Sequence, residues 1–339
     1  MKKLMKHTFL WAMTLMLSIS LHASANNQAS GTKPASELKE LTLMLEWFVN
    51  PDHGPIIIAQ ENGYFEDQGL KVDIQEPADP NLPPKLVAAE KVDLAVYYQP
   101  SLIHGVANGL PLAWAGTLVA TPLDGLLVLD DGPIKSLKDM KGKTIGLNIG
   151  GIENAILDTL FEPYGFGAKD VKLVNVGWNL SSSLMSGRVD AIMGAYRNFE
   201  LNQLAIEGRK GRMFYYEENN IPPYDELIFI ANSKKNDKDA IRRFLRAIEL
   251  GTQYIVNNPE KSWEIFRDYS PKKLDNELNR RAWFDTISRF DLRPAARDAG
   301  RYQLSFTTPI DIFLKPVVKG LIRYSGILFC HLFNTSSKA

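Results

Sequence analysis

The chain has 339 residues, in which 39 Lys and Arg balance 39 Asp and Glu, with 45% hydrophobic and 23% charged side chains. A formal charge of zero argues against a nucleic-acid binder, which carries a basic excess or stripe, and the composition is that of a globular chain long enough for two domains. A single cysteine, Cys330, excludes an intramolecular disulfide, a CxxC redox pair and a thiolate zinc site.

Lys2, Lys3 and Lys6 precede an apolar run at 9–21, and Ala23, Ser24 and Ala25 follow it. Basic start, short apolar stretch and small-residue site read as a cleavable secretory signal, 1–25, and the run is too short for a membrane span. No cysteine follows it to carry a lipid. The exported chain of 314 residues then has a small acidic excess and three histidines, His53, His104 and His331. The expected location is the periplasm, with no stable membrane insertion after cleavage.

Residues 26–40, NNQASGTKPASELKE, are small and polar, as in a linker. Alternating apolar positions predict a strand at 41–45, then a loop where Asn50 and Pro51 stop regular structure, a helix at 56–64 and a strand at 70–74. That is a β-α-β unit and therefore a parallel pair. The alternation continues with a helix at 86–90, a strand at 92–96, a helix at 102–108, and strands at 112–115 and 125–129. A second set follows: strand 144–147, a glycine loop, helix 154–163, strand 171–176, helix 181–187, strand 189–193 and a returning strand at 227–231. Such alternation predicts parallel sheets covered by helices on both faces.

Two stretches resemble one another, Lys91-Val92-Asp93 leading to Tyr97 and Tyr98, and Arg188-Val189-Asp190 leading to Tyr196. Their repetition supports two similarly built lobes, and the tyrosines fall at the carboxyl ends of strands, where open α/β sheets bind ligands. The last third is helical: Ile241, Phe244, Leu245, Ile248, Thr252 and Ile255 follow a 3.6-residue period. Asn258 and Pro259 read as N-cap and N1 of a further helix that turns Trp263 and Phe266 inward, while Arg242, Arg243 and Arg246 read as a solvated face.

Catalytic signatures are missing. Gly142, Lys143 and Thr144 imitate the end of a P-loop, but Leu137 stands where its first glycine belongs; there is no GxGxxG, HExxH, GxSxG or EF-hand loop. No metal site and no cofactor are expected, and a binding protein is favoured over an enzyme.

The strings LEWFVNPDHGP at 45–55 and IAQENGYFEDQGL at 58–70, with KVD at 91–93, YQP at 98–100, LKDMKGKTIG at 137–146 and GAYRNFE at 194–200, resemble the thiamine-pyrimidine synthase and binding-protein family. Within it the chain is most similar to bacterial periplasmic proteins that bind the pyrimidine precursor of thiamine for an ABC importer. The resemblance covers 41–303. It implies an α/β, two-lobed periplasmic-binding-protein fold of type II, with parallel-rich sheets flanked by helices and crossovers near 120–128 and 224–232. Lobe one would be 41–124 with 226–303, and lobe two 125–225. The ligand would sit between the lobes, whose closure presents it to a permease and its ATPase; a monomer without cofactor is implied. The tail 304–339 departs from the family, with a very apolar stretch at 327–333, and reads as an altered end.

The implied ligand, a 4-amino-2-methylpyrimidine bearing a hydroxymethyl or formylaminomethyl group, needs aromatic faces and a few fixed polar groups. Trp47 is the first stacking candidate, with a core tryptophan as the alternative. Glu200 would accept from the exocyclic amine or pair with a protonated ring nitrogen; the alternative is a solvated helix residue. Tyr98 and Tyr196 would add face or hydroxyl contacts. Asn50 and His53 would read the ring edge, or instead cap the following helix. Gly150, Gly151 and Glu153 place backbone N–H groups at a helix start, suited to a polar substituent, or merely make a tight turn. Thr117 and Tyr224 lie near the crossovers.

Two other readings stand beside this one. Eukaryotic members make the pyrimidine, using a histidine at the position resembling His53 and a cysteine-rich, iron-associated motif; NNIPPYDE at 219–226 has no cysteine. A binder of a sulfonate or nitrate would want donors where Glu200 would repel an anion.

Overall fold

A computed structural model describes residues 38–292. The expected signal at 1–25, the linker as far as 37, the end of lobe one at 293–303 and the atypical tail at 304–339 lie outside the described residues.

Strand β1 (Lys39–Met44) begins two residues before the break in composition, because Lys39 and Glu40 already pair with Leu70 and Lys71. A 3-10 turn at Pro51–His53 leads into α1 (Gly54–Glu61) and α2 (Tyr64–Asp67), and the chain returns as β2 (Leu70–Gln75), parallel to β1. The helix expected at 56–64 is thus two helices. Gly63, at φ +73°, occupies the left-handed region that glycine enters without steric cost and breaks the run. Helix α3 (Pro83–Ala88), β3 (Leu94–Tyr97), α4 (Gln99–Ala107) and β4 (Leu112–Val119) complete the first stretch.

The chain then enters a second sheet through β5 (Asp124–Leu129), β6 (Thr144–Leu147), α5 (Glu153–Phe161), β7 (Lys172–Asn175), α6 (Leu180–Met185), β8 (Ala191–Tyr196), α7 (Glu200–Ile206) and β9 (Gly211–Tyr215). It returns through β10 (Leu227–Asn232) and ends in α8 (Lys238–Asn257), α9 (Pro259–Tyr269), α10 (Pro271–Leu274) and α11 (Glu277–Thr286).

The two sheets have one topology: β2-β1-β3-β10-β4 and β7-β6-β8-β5-β9. In each, the first three strands are parallel, as the alternation predicts. Both sheets are nevertheless mixed. β10 runs antiparallel to β3 and β4, and β5 antiparallel to β8 and β9, because each is delivered by a crossover from the other sheet. Pairing with β10 also extends β4 to Val119, beyond the stretch expected at 112–115.

The Val-Asp repeat has a mechanical reason. The Asp93 carboxylate accepts the Thr42 N–H at 2.8 Å and the Asp190 carboxylate accepts the Thr144 N–H at 2.8 Å, so each aspartate ties the entry of its own strand to the neighbouring parallel strand, in mid-strand on β1 and at the first residue of β6.

Side chains alternate across the sheets and build separate apolar layers. Leu43, Val96 and Phe229 pack under Ile56, Phe65, Phe244, Phe266 and Trp283, while Met44, Ala95 and Ile228 face Val87 and Leu102. Leu126 and Val128 meet Leu157 and Phe161 on one face of the second sheet, and Leu127 meets Leu184 and Leu204 on the other. Trp263 and Phe266 are buried as expected. Asn258 does not cap α9 with its side chain; its Nδ2 donates to the Tyr254 carbonyl at the end of α8. The arginines of α8 pair with its own acids: Arg242 and Arg243 with Asp239, and Arg246 with Glu249. Among the described residues no helix is long and apolar enough to cross a membrane.

Candidate functional site

Strands β1, β3, β6 and β8 end at one pocket between the two sheets. Glu46, Trp47, Asn50 and Asp52 line it from the loop after β1, Tyr98 and Ser101 from the end of β3, Asn148, Ile149, Ile152 and Glu153 from the end of β6, and Met193, Gly194, Tyr196, Phe199 and Glu200 from β8 and the start of α7. Asp124, Tyr224 and Glu226 enter from the two crossovers. The carboxyl-end rule for α/β sheets is obeyed twice, because the topology is repeated.

Of the residues singled out from sequence, Trp47, Asn50, Tyr98, Glu153, Tyr196, Glu200 and Tyr224 therefore reach the pocket, and His53, Thr117, Gly150 and Gly151 do not line it. His53 lies behind the wall, fully buried. Its Nε2 is 3.0 Å from both oxygens of Glu46, and Nδ1 accepts the Asn50 N–H at 3.2 Å, so the ring proton faces Glu46. With both nitrogens committed, it holds Glu46 in place instead of reading a ring edge. Thr117 is buried on β4 and donates to Asp225 at 2.7 Å. The N–H of Gly150 donates to Asn81 at 3.3 Å and that of Gly151 to Glu153, so both amides are taken by side chains. Asn50 faces the pocket but spends its carboxamide on its own loop, donating to the Phe48 carbonyl and accepting from the Asp52 N–H.

The sequence reading named Glu153 and Glu200 but overlooked the other four acids, Glu46, Asp52, Asp124 and Glu226. Glu46, Asp52, Asp124, Glu153, Glu200 and Glu226 line the pocket, and no Lys, Arg or His does. Glu226 accepts from the amides of Leu123 and Asp124 at 2.7 and 3.0 Å, and Asp124 from those of Gly125 and Gly194. Glu200 accepts the Tyr196 N–H at 2.6 Å. Burial raises these carboxyls: Asp52 to about 6, Glu226 to about 7 and Glu200 to about 8. Asp124 is pushed well up by burial and by neighbouring Glu226. Near neutral pH Glu200 is thus mostly protonated and Glu226 about half, so the pocket offers carboxyls able to donate as well as accept, while Asp52 is mostly ionised. Among the described residues no group of His, Cys, Asp or Glu is arranged to hold a metal ion.

Aromatic side chains close the rim from both sides. Trp47 lies 4.1 Å from Trp178, centroid to centroid, and Phe48 lies 6.0 Å from Trp178 and 6.5 Å from Phe199. Trp47 is thus neither a core residue nor a free platform; it is backed across the cleft by a tryptophan that no local pattern flags. Below the rim, Asn198 donates to Asp52 at 2.6 Å and to Thr286 at 2.7 Å, and Asn202 to Asp285 at 2.7 Å, tying the start of α7 to α11 and the loop after β1.

Residues 50–262 match the family model described as NMT1/THI5 like. The chain belongs to that family. A Haemophilus influenzae protein named for thiamine biosynthesis is 48% identical over 80% of this chain and 87% of its own length. The formylaminopyrimidine-binding protein of Halalkalibacterium halodurans is 33% identical over 74% and 76%. The Saccharomyces cerevisiae 4-amino-5-hydroxymethyl-2-methylpyrimidine phosphate synthase THI13 is 30% identical over 71% and 74%. The relatives thus include both a binder and a synthase by name. The fold is that of periplasmic binding proteins. The Candida albicans CA3427 gene product, described as having that fold, superposes with a TM-score of 0.65 at 17% identity, covering 86% of this chain and 92% of its own. The alkanesulfonate-binding protein SsuA of Xanthomonas axonopodis pv. citri gives 0.64 at 13% identity, covering 83% and 94%. Fold and named relatives together support a binding role.

Proposed function

We propose that this NMT1/THI5-like chain is the periplasmic solute-binding component of an ABC importer, that it acts as a monomer without cofactor after loss of residues 1–25, and that it captures a 4-amino-2-methylpyrimidine by closure of two lobes. The lobes are 41–124 with 226–303, and 125–225. The observation that carries the reading is the pocket's chemistry: aromatic side chains and buried carboxyls, with no cationic side chain on the wall. An aminopyrimidine offers an amine donor beside a ring-nitrogen acceptor. A protonated carboxyl matches that pair with its carbonyl oxygen and its O–H, and a carboxylate matches the protonated ring equally well.

The same wall opposes an anion. A phosphate ester or a sulfonate would be desolvated against acids with no counter-charge, an arrangement that costs several kcal/mol. The synthase reading would engage His53, whose ring is fully buried with both nitrogens occupied. Calorimetric titration tests the proposal with four compounds: the hydroxymethyl and formylaminomethyl pyrimidines, the phosphate ester of the first, and an alkanesulfonate. Binding of a neutral pyrimidine, at least about 100-fold tighter than of the two anions, is expected; tighter binding of either anion, or turnover to a pyrimidine product, overturns it.

A further inference from the structure

Asn148, one residue beyond β6, is 7% exposed and lines the pocket. Its carboxamide makes no hydrogen bond to any described residue. The contrast with its neighbours is sharp: the Asn50 carboxamide is tied to its loop, and Ser101 is hydrogen-bonded to Tyr97. Its polar atoms are open to the pocket, and a ligand that covered them without pairing them would desolvate the amide at a cost of about 1–3 kcal/mol, so such a group in a pocket wall points to a ligand that pairs with it.

The opposite strand is shaped to admit it. Gly194 of β8 has φ +81°, and a β-carbon there would stand 2.6 Å from Asn148 Oδ1 and 3.4 Å from Cγ. The amide therefore lies across the bare backbone of β8, beside the Gly194 N–H that holds Asp124 at 2.9 Å.

A pyrimidine whose amino edge is met by a carboxyl has a second ring nitrogen, remote from the amine, that can only accept. An ionised carboxylate would repel it, no Lys, Arg or His lines the wall, and the hydroxyls of Ser101, Tyr196 and Tyr224 are already paired with Tyr97 and Glu226, which leaves Asn148, the Tyr98 hydroxyl and the protonated acids as donors. We propose that Asn148 is a specificity-determining residue whose carboxamide donates to this remote ring nitrogen, so that the site distinguishes a pyrimidine from a ring lacking that atom. This rests on the pyrimidine reading above.

The test titrates the wild type and Asn148→Ala with 4-amino-5-hydroxymethyl-2-methylpyrimidine and with the matching pyridine, in which the remote nitrogen is replaced by CH. The wild type is expected to prefer the pyrimidine by about 10- to 100-fold, the range set by an unpaired buried amide, and Asn148→Ala to lose that preference. Asn148→Leu keeps a similar volume and removes the donor at every pH; it is expected to lose about as much pyrimidine affinity, and serves if the alanine variant does not fold. Equal wild-type affinity for the two rings overturns the inference and leaves the pyrimidine reading intact. Discrimination retained by Asn148→Ala also overturns it, assigning the contact to another donor of the wall, the Tyr98 hydroxyl or a protonated carboxyl. Binding of neither ring by the wild type overturns the pyrimidine reading and the inference with it.

Discussion

Glu200 illustrates how burial changes what a residue can do. Its place in the string GAYRNFE marks it as a ligand for an amine, but only the fold puts it at the N-terminus of α7 with the Tyr196 N–H on one oxygen and its pKa raised to about 8. In the proposed complex one proton is shared between this carboxyl and the ring. Below about pH 8 the acid already carries it, so affinity is expected to be flat in that range; above pH 8 binding takes up a proton and affinity falls by up to about tenfold per pH unit. Glu200→Gln presents a donor and an acceptor at every pH. Its affinity should stay within about tenfold of the wild type at pH 7 and lose the alkaline fall, whereas Glu200→Ala should bind about 10- to 100-fold more weakly. Titrations from pH 6 to 10 check this, and an alkaline fall that persists in Glu200→Gln assigns the proton elsewhere.

At the scale of elements, the leading parallel strands are legible because a buried parallel strand is a short apolar run bounded by turns, and 144–147 is predicted to the residue. β9 and α7 are not. Every residue of β9 is half-buried, so it shows neither alternation nor an apolar run, and α7 has only Leu204 buried. α7 nonetheless matters to the site, because Asn198 just before it joins Asp52 and Thr286 across the cleft. In the lobe closure proposed above, this contact would form as the lobes meet around the ligand. Asn198→Ala is expected to weaken ligand binding by about tenfold, through loss of a donor to a buried carboxyl, with little change in the Tm of the ligand-free protein. A lowered Tm with unchanged affinity would make Asn198 a structural residue alone.

For the whole molecule, the buried acids invert the usual effect of pH on stability. Asp52, Glu226 and Glu200 rise from 3.8, 4.5 and 4.5 to about 6, 7 and 8 on folding. Between about pH 4.5 and 8 the folded chain therefore binds more protons than the unfolded one, and stability falls as pH rises through that window. Scanning calorimetry should give a lower Tm at pH 8 than at pH 5.5 for the ligand-free protein, at roughly 2–4 °C per kcal/mol lost. The exposed aspartates with lowered pKa, such as Asp139 and Asp239, act below this window and do not reverse the sign. A Tm that rises from pH 5.5 to 8 would mean that the carboxyls are solvated in solution.

Hydrophobic alternation and its turn signals are local properties, so the sequence by itself determined the α/β class, the parallel strand trios, the duplicated Val-Asp strands and the tyrosines at their ends. The family strings added Trp47 and Glu200. Tertiary structure decided what depends on distant segments meeting: that β5 and β10 exchange between sheets and run antiparallel, that His53 retreats behind Glu46, that Trp178 backs Trp47, and that six acids and one unpaired amide converge on a wall without a cation. A carboxylate in sequence looks the same whether water or protein surrounds it. Only its burial beside other acids, at the meeting of four strand ends and two crossovers, turns it from a solvated charge into a protonated hydrogen-bonding group.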